Sequence, residues 1–425
     1  MSGPANPPVS GPADPPGLRV VLDVRPLQDP GRSPVTARYL DGLLGGFDAA
    51  PVYGESFAFL LQSDLEDPTR RFGELDVVGR RLLPPTRLLR SAAMTIDPFL
   101  LRGASIGAAW RAERRGATGA VYHAAAGTSP LFAGIPIVVT LLDLAPWELP
   151  QVFQRGLAVR FGQRLRTQLL REAAAVIVGT EAVATAARRL LRLRHDRLRV
   201  VRLAADPAFA PVAEGALDPE SDAERERLGL AGRYLVYSGR YDARQDLGTL
   251  LRAIGLLAGK PRPRGLPEDA PWPPRILLVG ASPADRASLA RASLRAGVSD
   301  SLAYAPGLPP ARLAALVRSA KAAILPALSD AAGLSGIDAI AAGVPVIASA
   351  VGALPEIVGR AGILVEPRDP ARLAEALRTV WADERMHRRL AEVALERAAD
   401  RRTWADVALE TRRIYAEVGV APSRS

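Results

Sequence analysis

The stretch Pro326–Gly343, PALSDAAGLSGIDAIAAG, constrains this chain more than any other. The apolar run Ala322–Leu325 leads into it and reads as a short buried strand. A loop of small residues follows, and Gly336–Ala342 then reads as a helix closed by Gly343. Asp330 falls in the loop and Asp338 inside the helix. Between them, Ala331, Ala332 and Gly333 let backbone come close to a ligand, and the free N–H groups of the new helix would face it. Unpaired donors at the positive end of a helix dipole suit an anion such as a pyrophosphate. An ordinary strand–loop–helix joint of an α/β domain would carry the same pattern.

A chain of 425 residues is too long for one core and comfortable for two domains. With 48% hydrophobic and 24% charged residues, the composition is that of a globular protein. Cysteine is absent, which removes disulfides, thiolate nucleophiles and Cys-based metal sites. His123, His195 and His387 are the only histidines, which argues against a His-rich metal centre. The net charge of +10 is nearly all arginine, since Lys260 and Lys321 are the only lysines. Nucleic acid is not the expected partner, because the arginines are spread along the chain without interleaved aromatics.

No uncharged apolar stretch is long enough to suggest a transmembrane helix. Residues 1–17 form a Pro-rich tail with no basic start and no apolar core, unlike a signal peptide. The expected place is therefore the cytoplasm, with peripheral membrane contact as an option.

The chain alternates short apolar runs with helical patterns. LRVVLDVRPL, from Leu18, reads as a first strand, and its loop passes through Gly31 into a helix over Ala37–Leu44. Ala120–Tyr122 and Ile135–Leu142 read as parallel strands with His123 and Asp143 at their ends. Ligands of open α/β sheets bind at such carboxyl ends, which makes both residues candidates for the site. Over Gly156–Glu172, Leu157, Phe161, Leu165 and Leu169 form one stripe, expected to face the core while the arginines face water. Pro211–Leu230 reads as an acidic, polar connector. Beyond it, Tyr234–Ser238 is a strand, Gly239–Arg240 a turn and Asp246–Leu257 a helix.

Extended to SDAAGLSGIDAIAAGVPVIASAVGALPEIVGRAGILVEPRDPARLAEAL, the opening stretch resembles the C-terminal half of the family 4 glycosyltransferases. The resemblance implies a GT-B fold: α/β, with two Rossmann-like domains facing each other across a cleft. The implied divisions are a tail (1–17), an acceptor-side domain (18–212), a nucleotide-sugar domain (213–403) and a helix returning to the first domain (404–425). The implied chemistry is retaining transfer of a sugar from a nucleotide diphosphate, with the donor as substrate and neither cofactor nor metal. Asp330 matches the acid that meets the donor sugar, and Asp338 the acid that holds the ribose. Arg240 matches a diphosphate-binding arginine, and the Gly333, Leu334 and Ser335 N–H groups would face phosphate or sugar. The acceptor, a carbohydrate or a lipid-linked one, would enter near Gly31, His123 and Asp143.

Four departures from the family pattern bear on activity. Both acids are aspartates where the family has glutamates, Gln245 stands where it has a diphosphate-binding lysine, and Leu142 where it has a histidine. A cation near a departing diphosphate stabilises developing charge, so Gln245 bears on catalysis, and the adjacent Arg244 is the natural substitute. These departures leave a second class open: a non-catalytic relative that binds a nucleotide sugar or a partner. An epimerase of the same fold is a weaker third. The arginines beside Leu, Phe and Trp over Arg80–Arg115 and Gly156–Glu172 would also suit an anionic membrane surface.

Overall fold

Leucine- and valine-rich runs bounded by turns build two sheets. The structure, a computed structural model, describes residues 17–85, 101, 119–125, 129–131, 133–212, 218–268 and 270–419. In the first sheet, β1 (Leu18–Asp23), β2 (Glu55–Gln62), β3 (Val77–Leu83), β4 (Gly119–Ala124), β5 (Ile137–Thr140), β6 (Ala175–Val178) and β7 (Leu198–Val200) are all parallel. Their spatial order is β3-β2-β1-β4-β5-β6-β7. The second sheet holds β8 (Leu235–Ser238), β9 (Ile276–Val279), β10 (Leu302–Ala305), β11 (Ala323–Leu325), β12 (Val346–Ser349) and β13 (Gly362–Val365). It is also parallel, in the order β10-β9-β8-β11-β12-β13.

Helices cover both faces of each sheet, so the central strands are apolar without alternation, as the fully buried AIL of β11 shows. In each sheet the connections reverse direction beside the first strand, between β1 and β4 and between β8 and β11. The loops leaving the carboxyl ends of such a pair diverge and open a crevice.

Three expectations change on the structure. The acidic, polar connector contains a helix that was not expected there: Pro219–Arg227, begun by the Asp218 carboxylate accepting the Ser221 N–H at 3.1 Å. Its Glu224 is buried and accepts from Arg312 Nε and Nη2 at 2.9 and 2.8 Å, on the helix Pro310–Arg318. The acids are there to match arginines on a neighbouring helix. The second change concerns the amphipathic helix, which spans Leu157–Glu172. Leu169 is buried as expected, but Leu157 and Phe161 are 83% and 59% exposed, because the helix meets the core only from Gly162 onward. Most of the other arginine-rich stretch, Arg80–Arg115, lies outside the described residues.

The third change is His123. It is wholly buried within β4, under the last helix, Trp404–Gly419, which packs on the helix Pro34–Ala49 of the first sheet. Its Nδ1 pairs with the Tyr415 hydroxyl at 2.5 Å and its Nε2 with the Thr140 hydroxyl at 2.8 Å. Tyr39 reaches the same Thr140 oxygen at 2.9 Å. Both ring nitrogens are thus spent inside the core, so His123 is a packing residue and not a cleft residue. The strand reading was right about β4, but the alternation of side chains turned this one inward.

Burial pushes the His123 pKa down to about 3. A histidine depressed below its unfolded value of roughly 6.5 is proton-free when folded, so stability is lost as pH falls below that value. The expected slope is up to about 1.4 kcal/mol per pH unit, beginning near pH 6.5. Urea unfolding between pH 7 and 5.5 (roughly the span above carboxylate titration) should show this slope in the native chain and a flatter one in His123→Gln. Equal slopes would refute the buried neutral ring.

Candidate functional site

Two loops meet at the β8–β11 switch point. Gly239–Asp246 follows β8, and Pro326–Gly333 follows β11. Backbone bonds lock them together: the Asp246 N–H donates to Pro326 at 2.6 Å, the Leu328 N–H donates to Arg244 at 2.6 Å, and Gln245 bridges Ala327. This ladder fixes Arg240, Arg244, Gln245 and Asp330 at one end of the sheet.

Asp330 is held by its own loop. Its carboxylate accepts the Gly333 N–H at 2.7 Å and a second bond from the Ala332 N–H. Its carbonyl accepts the Ala353 N–H at 2.8 Å. Gly352, at φ 55°, makes that approach possible, since a Cβ there would lie 1.9 Å from the Asp330 oxygen. Burial pushes the Asp330 carboxyl above its ordinary range despite these bonds, and nearby Asp143 and Glu148 push the same way. The helix beyond begins at Leu334, two residues before the expected Gly336, and runs to Ala341. Gly333 starts it in the left-handed region at φ 63°, where a Cβ would strike Ile357 at 2.1 Å.

Asp143 comes to the same place from the first sheet, just after β5. It accepts from Arg244 Nη2 at 2.6 Å and Nε at 3.3 Å, and from the Ala145 N–H at 3.0 Å. Burial alone would raise its pKa, but Arg244, Arg166 and the Ala145 N–H outweigh it and hold the carboxyl below the usual range. Arg244 also donates to Asp242 at 2.6 Å and lies over the Phe153 ring at 4.5 Å. Its guanidinium therefore stands in the crevice, between the two sheets. Arg240 is half-buried beside it, its Nε on Asp242 at 2.9 Å. Glu148 reaches across to accept the Ser329 hydroxyl.

Asp338 faces a different partner. It is buried, and both carboxylate oxygens take the guanidinium of Arg38, from the helix Pro34–Ala49 of the first sheet. The Asp206 N–H adds a bond at 3.2 Å. Burial alone would lower the Arg38 pKa, but the facing carboxylate outweighs it and keeps the guanidinium firmly protonated. Ser335 donates its hydroxyl to Ser238 at 2.9 Å, and Leu334 is buried in a cluster that includes Val24 and Leu203 of the first sheet's side. The small residues that leave room at Ala331 and Ala332 thus admit the other domain's surface as well.

The structure therefore gathers Arg240, Gln245, Asp330 and Asp143 at one crevice, keeps Asp338 one helical turn behind it, and removes His123 to the core. Arg38, Glu148 and Arg166 carry no local pattern that marks them. Arg38 meets Asp338 across 300 positions of sequence, and only the fold could join them. Arg166 lies over the Trp147 ring at 4.7 Å, with a buried Nε that has no hydrogen-bond partner among the described residues.

Two Rossmann-like parallel sheets with their carboxyl ends facing across such a crevice define a GT-B protein. Residues 232–383 match the family described as Glycosyl transferases group 1. Among curated relatives, it is 32% identical over 265 residues to a D-inositol 3-phosphate glycosyltransferase of Streptomyces bingchenggensis, covering 58% of this chain and 56% of that protein. The chain thus spans little more than half the length of that relative. A sucrose-phosphate synthase from Thermosynechococcus elongatus superposes with a TM-score of 0.68 at 20% identity, over 94% of this chain and 98% of the other. HepE from Anabaena, in complex with UDP, gives 0.65 at 16% identity, over 94% and 99%.

Removing one partner of a buried ion pair leaves the other charge stranded. Arg38→Ala should lower the unfolding free energy in urea by about 3 kcal/mol, the low end for such a loss. Arg38→Met combined with Asp338→Leu should recover most of it. A single variant as stable as the native chain would show that the pair does not join the domains.

Proposed function

We propose that this protein is a glycosyltransferase that takes a sugar from a nucleotide diphosphate donor, with retention of configuration. The observation that carries the reading is the crevice at the β8–β11 switch point, where Arg240 and Arg244 stand beside Asp330 and the start of the helix Leu334–Ala341. A diphosphate gains charge as it departs, and fixed cations aimed at that charge lower the barrier. Gln245 supplies none, but Arg244 projects into the crevice from the neighbouring position and takes over that role. Asp330, held by the Gly333 and Ala332 N–H groups, meets a sugar hydroxyl, and Asp143 across the crevice faces the acceptor. Donor entry exchanges the Asp143–Arg244 pairing for contacts to phosphate, which are of the same charge-assisted kind.

Asp338 is assigned to the donor ribose, and this assignment requires Arg38 to release it or share it. That same ion pair favours the second reading, a nucleotide-binding relative without turnover. The experiment is incubation with UDP-, GDP- and ADP-sugars while following released nucleoside diphosphate, together with calorimetry of the diphosphates. Measurable binding that weakens at least about 10-fold in Arg240→Ala is expected, from loss of a charge-assisted contact. Binding without release would select the second reading. Absence of any binding would refute both.

The acceptor side carries a finer proposal, contact with an anionic membrane. Leu157 and Phe161 are exposed on one helix with Arg155, Arg160 and Arg164, also exposed, around them. No helix among the described residues is long and apolar enough to cross a membrane. A surface of this kind instead lies on lipid, each arginine contributing about 1 kcal/mol near the headgroups and less as salt rises. Native protein should co-sediment with phosphatidylglycerol vesicles at low salt, less at high salt, and Leu157→Ser with Phe161→Ser should abolish it. No co-sedimentation of native protein at low salt removes the proposal.

A further inference from the structure

A cavity of about 170 Å³ lies between the domains, beside the helix Leu334–Ala341; Ala332, whose N–H holds Asp330, lines it, so it backs onto the loop of the crevice. Both chain crossings between the sheets line it. Arg202–Ala205 form the segment leaving β7, and Arg401 and Arg402 belong to the short link between the helix Glu384–Ala399 and the last helix. The floor is apolar, with Leu203, Ile337 and Ile357. The walls are cationic: Arg202, Arg397, Arg401 and Arg402 face a single carboxylate, Glu356.

Those charges are only partly matched: Glu181 and Glu410 stand with Arg202, Arg402 and Glu356 around an adjoining cavity. Among the described residues, only Arg402 of the four has a carboxylate partner, Glu410 at 2.9 Å. Arg397 donates to the Val358 carbonyl at 2.9 Å, and partial burial pulls its pKa down. Glu356 is itself occupied, accepting the Ala182 N–H at 3.2 Å at the start of the helix Glu181–Leu191. One negative group thus already sits where the two domains meet, and the arginines are left for another.

From this geometry we infer a second ligand site: the hinge cavity takes a small phosphomonoester with an apolar body. The anion pairs with Arg202, Arg397 and Arg401 while the body rests on Leu203, Ile337 and Ile357. Guanidinium forks suit the three oxygens of a phosphate, and the apolar floor gives a reason to prefer an organic phosphate to the bare ion. An occupant touches both crossings, so binding holds the two domains in one relative orientation and is linked to whatever the crevice binds. The site does not depend on sugar transfer.

Calorimetry of the full chain with phenyl phosphate and with inorganic phosphate tests this. Phenyl phosphate should bind, and more tightly than inorganic phosphate. Arg202→Gln with Arg401→Gln should weaken it by about 10-fold or more, the loss expected for charge-assisted contacts. Both arginines are exposed and without carboxylate partners among the described residues, and an unchanged melting temperature will verify that the variant folds. Arg240→Ala, in the crevice, should leave phenyl phosphate affinity unaltered. Equal affinity in native and double-variant protein, loss of binding in Arg240→Ala, no preference over inorganic phosphate, or no binding at all would each overturn the assignment.

Discussion

The relation between the two sheets rests on an ion pair between a half-buried arginine and a buried aspartate. Arg38 and Asp338 come from opposite domains, and each would be costly to bury alone. Together they define one arrangement, because a bidentate guanidinium–carboxylate contact tolerates little rotation. Arg244–Asp143 repeats the device at the crevice, and Glu148–Ser329 and Glu356–Ala182 add hydrogen bonds across the same boundary. Apolar packing of Ala332 and Leu334 against the first domain fills the space between them.

These contacts use groups that the proposed function assigns to ligands. Asp338, Asp143 and Arg244 each face an opposite charge from the other domain, so the residues proposed for donor and acceptor also hold the domains together. On the proposed function, a charge taken by the ligand is a charge released from the partner domain. The price of this economy is that binding must compete with internal pairs of comparable strength.

The departures from the family pattern acquire physical content in this setting. An aspartate at position 338 reaches a partner as close as the incoming Arg38 side chain. Arg244, next to the missing lysine, places a cation in the crevice from one residue away, and the backbone ladder to Leu328 keeps it there. At Leu142 the structure shows a buried apolar side chain, and nothing among the described residues supplies an imidazole in its place.

Much of the fold could be read from the chain itself. Strand and helix periods are local, so β11, the helix after it and the glycines that close the turns were visible in Ala322–Gly343. Part of the candidate crevice was visible too: a parallel sheet puts its loops at a known end, which pointed to Asp143 and the loop of Asp330, while Arg240 came through the family resemblance. Side-chain direction was not legible. His123 lies one residue past its predicted strand, yet β4 continues and turns it into the core towards Tyr415. Leu157 and Phe161 keep a helical stripe that only the packing of the helix's second half could show to be exposed. The acidic connector gave no sign that Arg312 and Arg318 meet Glu224 and Asp218. Above all, Arg38 and Asp338 have no local signature. Sequence determined the elements through backbone geometry and hydrophobic period, whereas the tertiary structure alone decided which charges meet, because pairing depends on distances that no local pattern encodes.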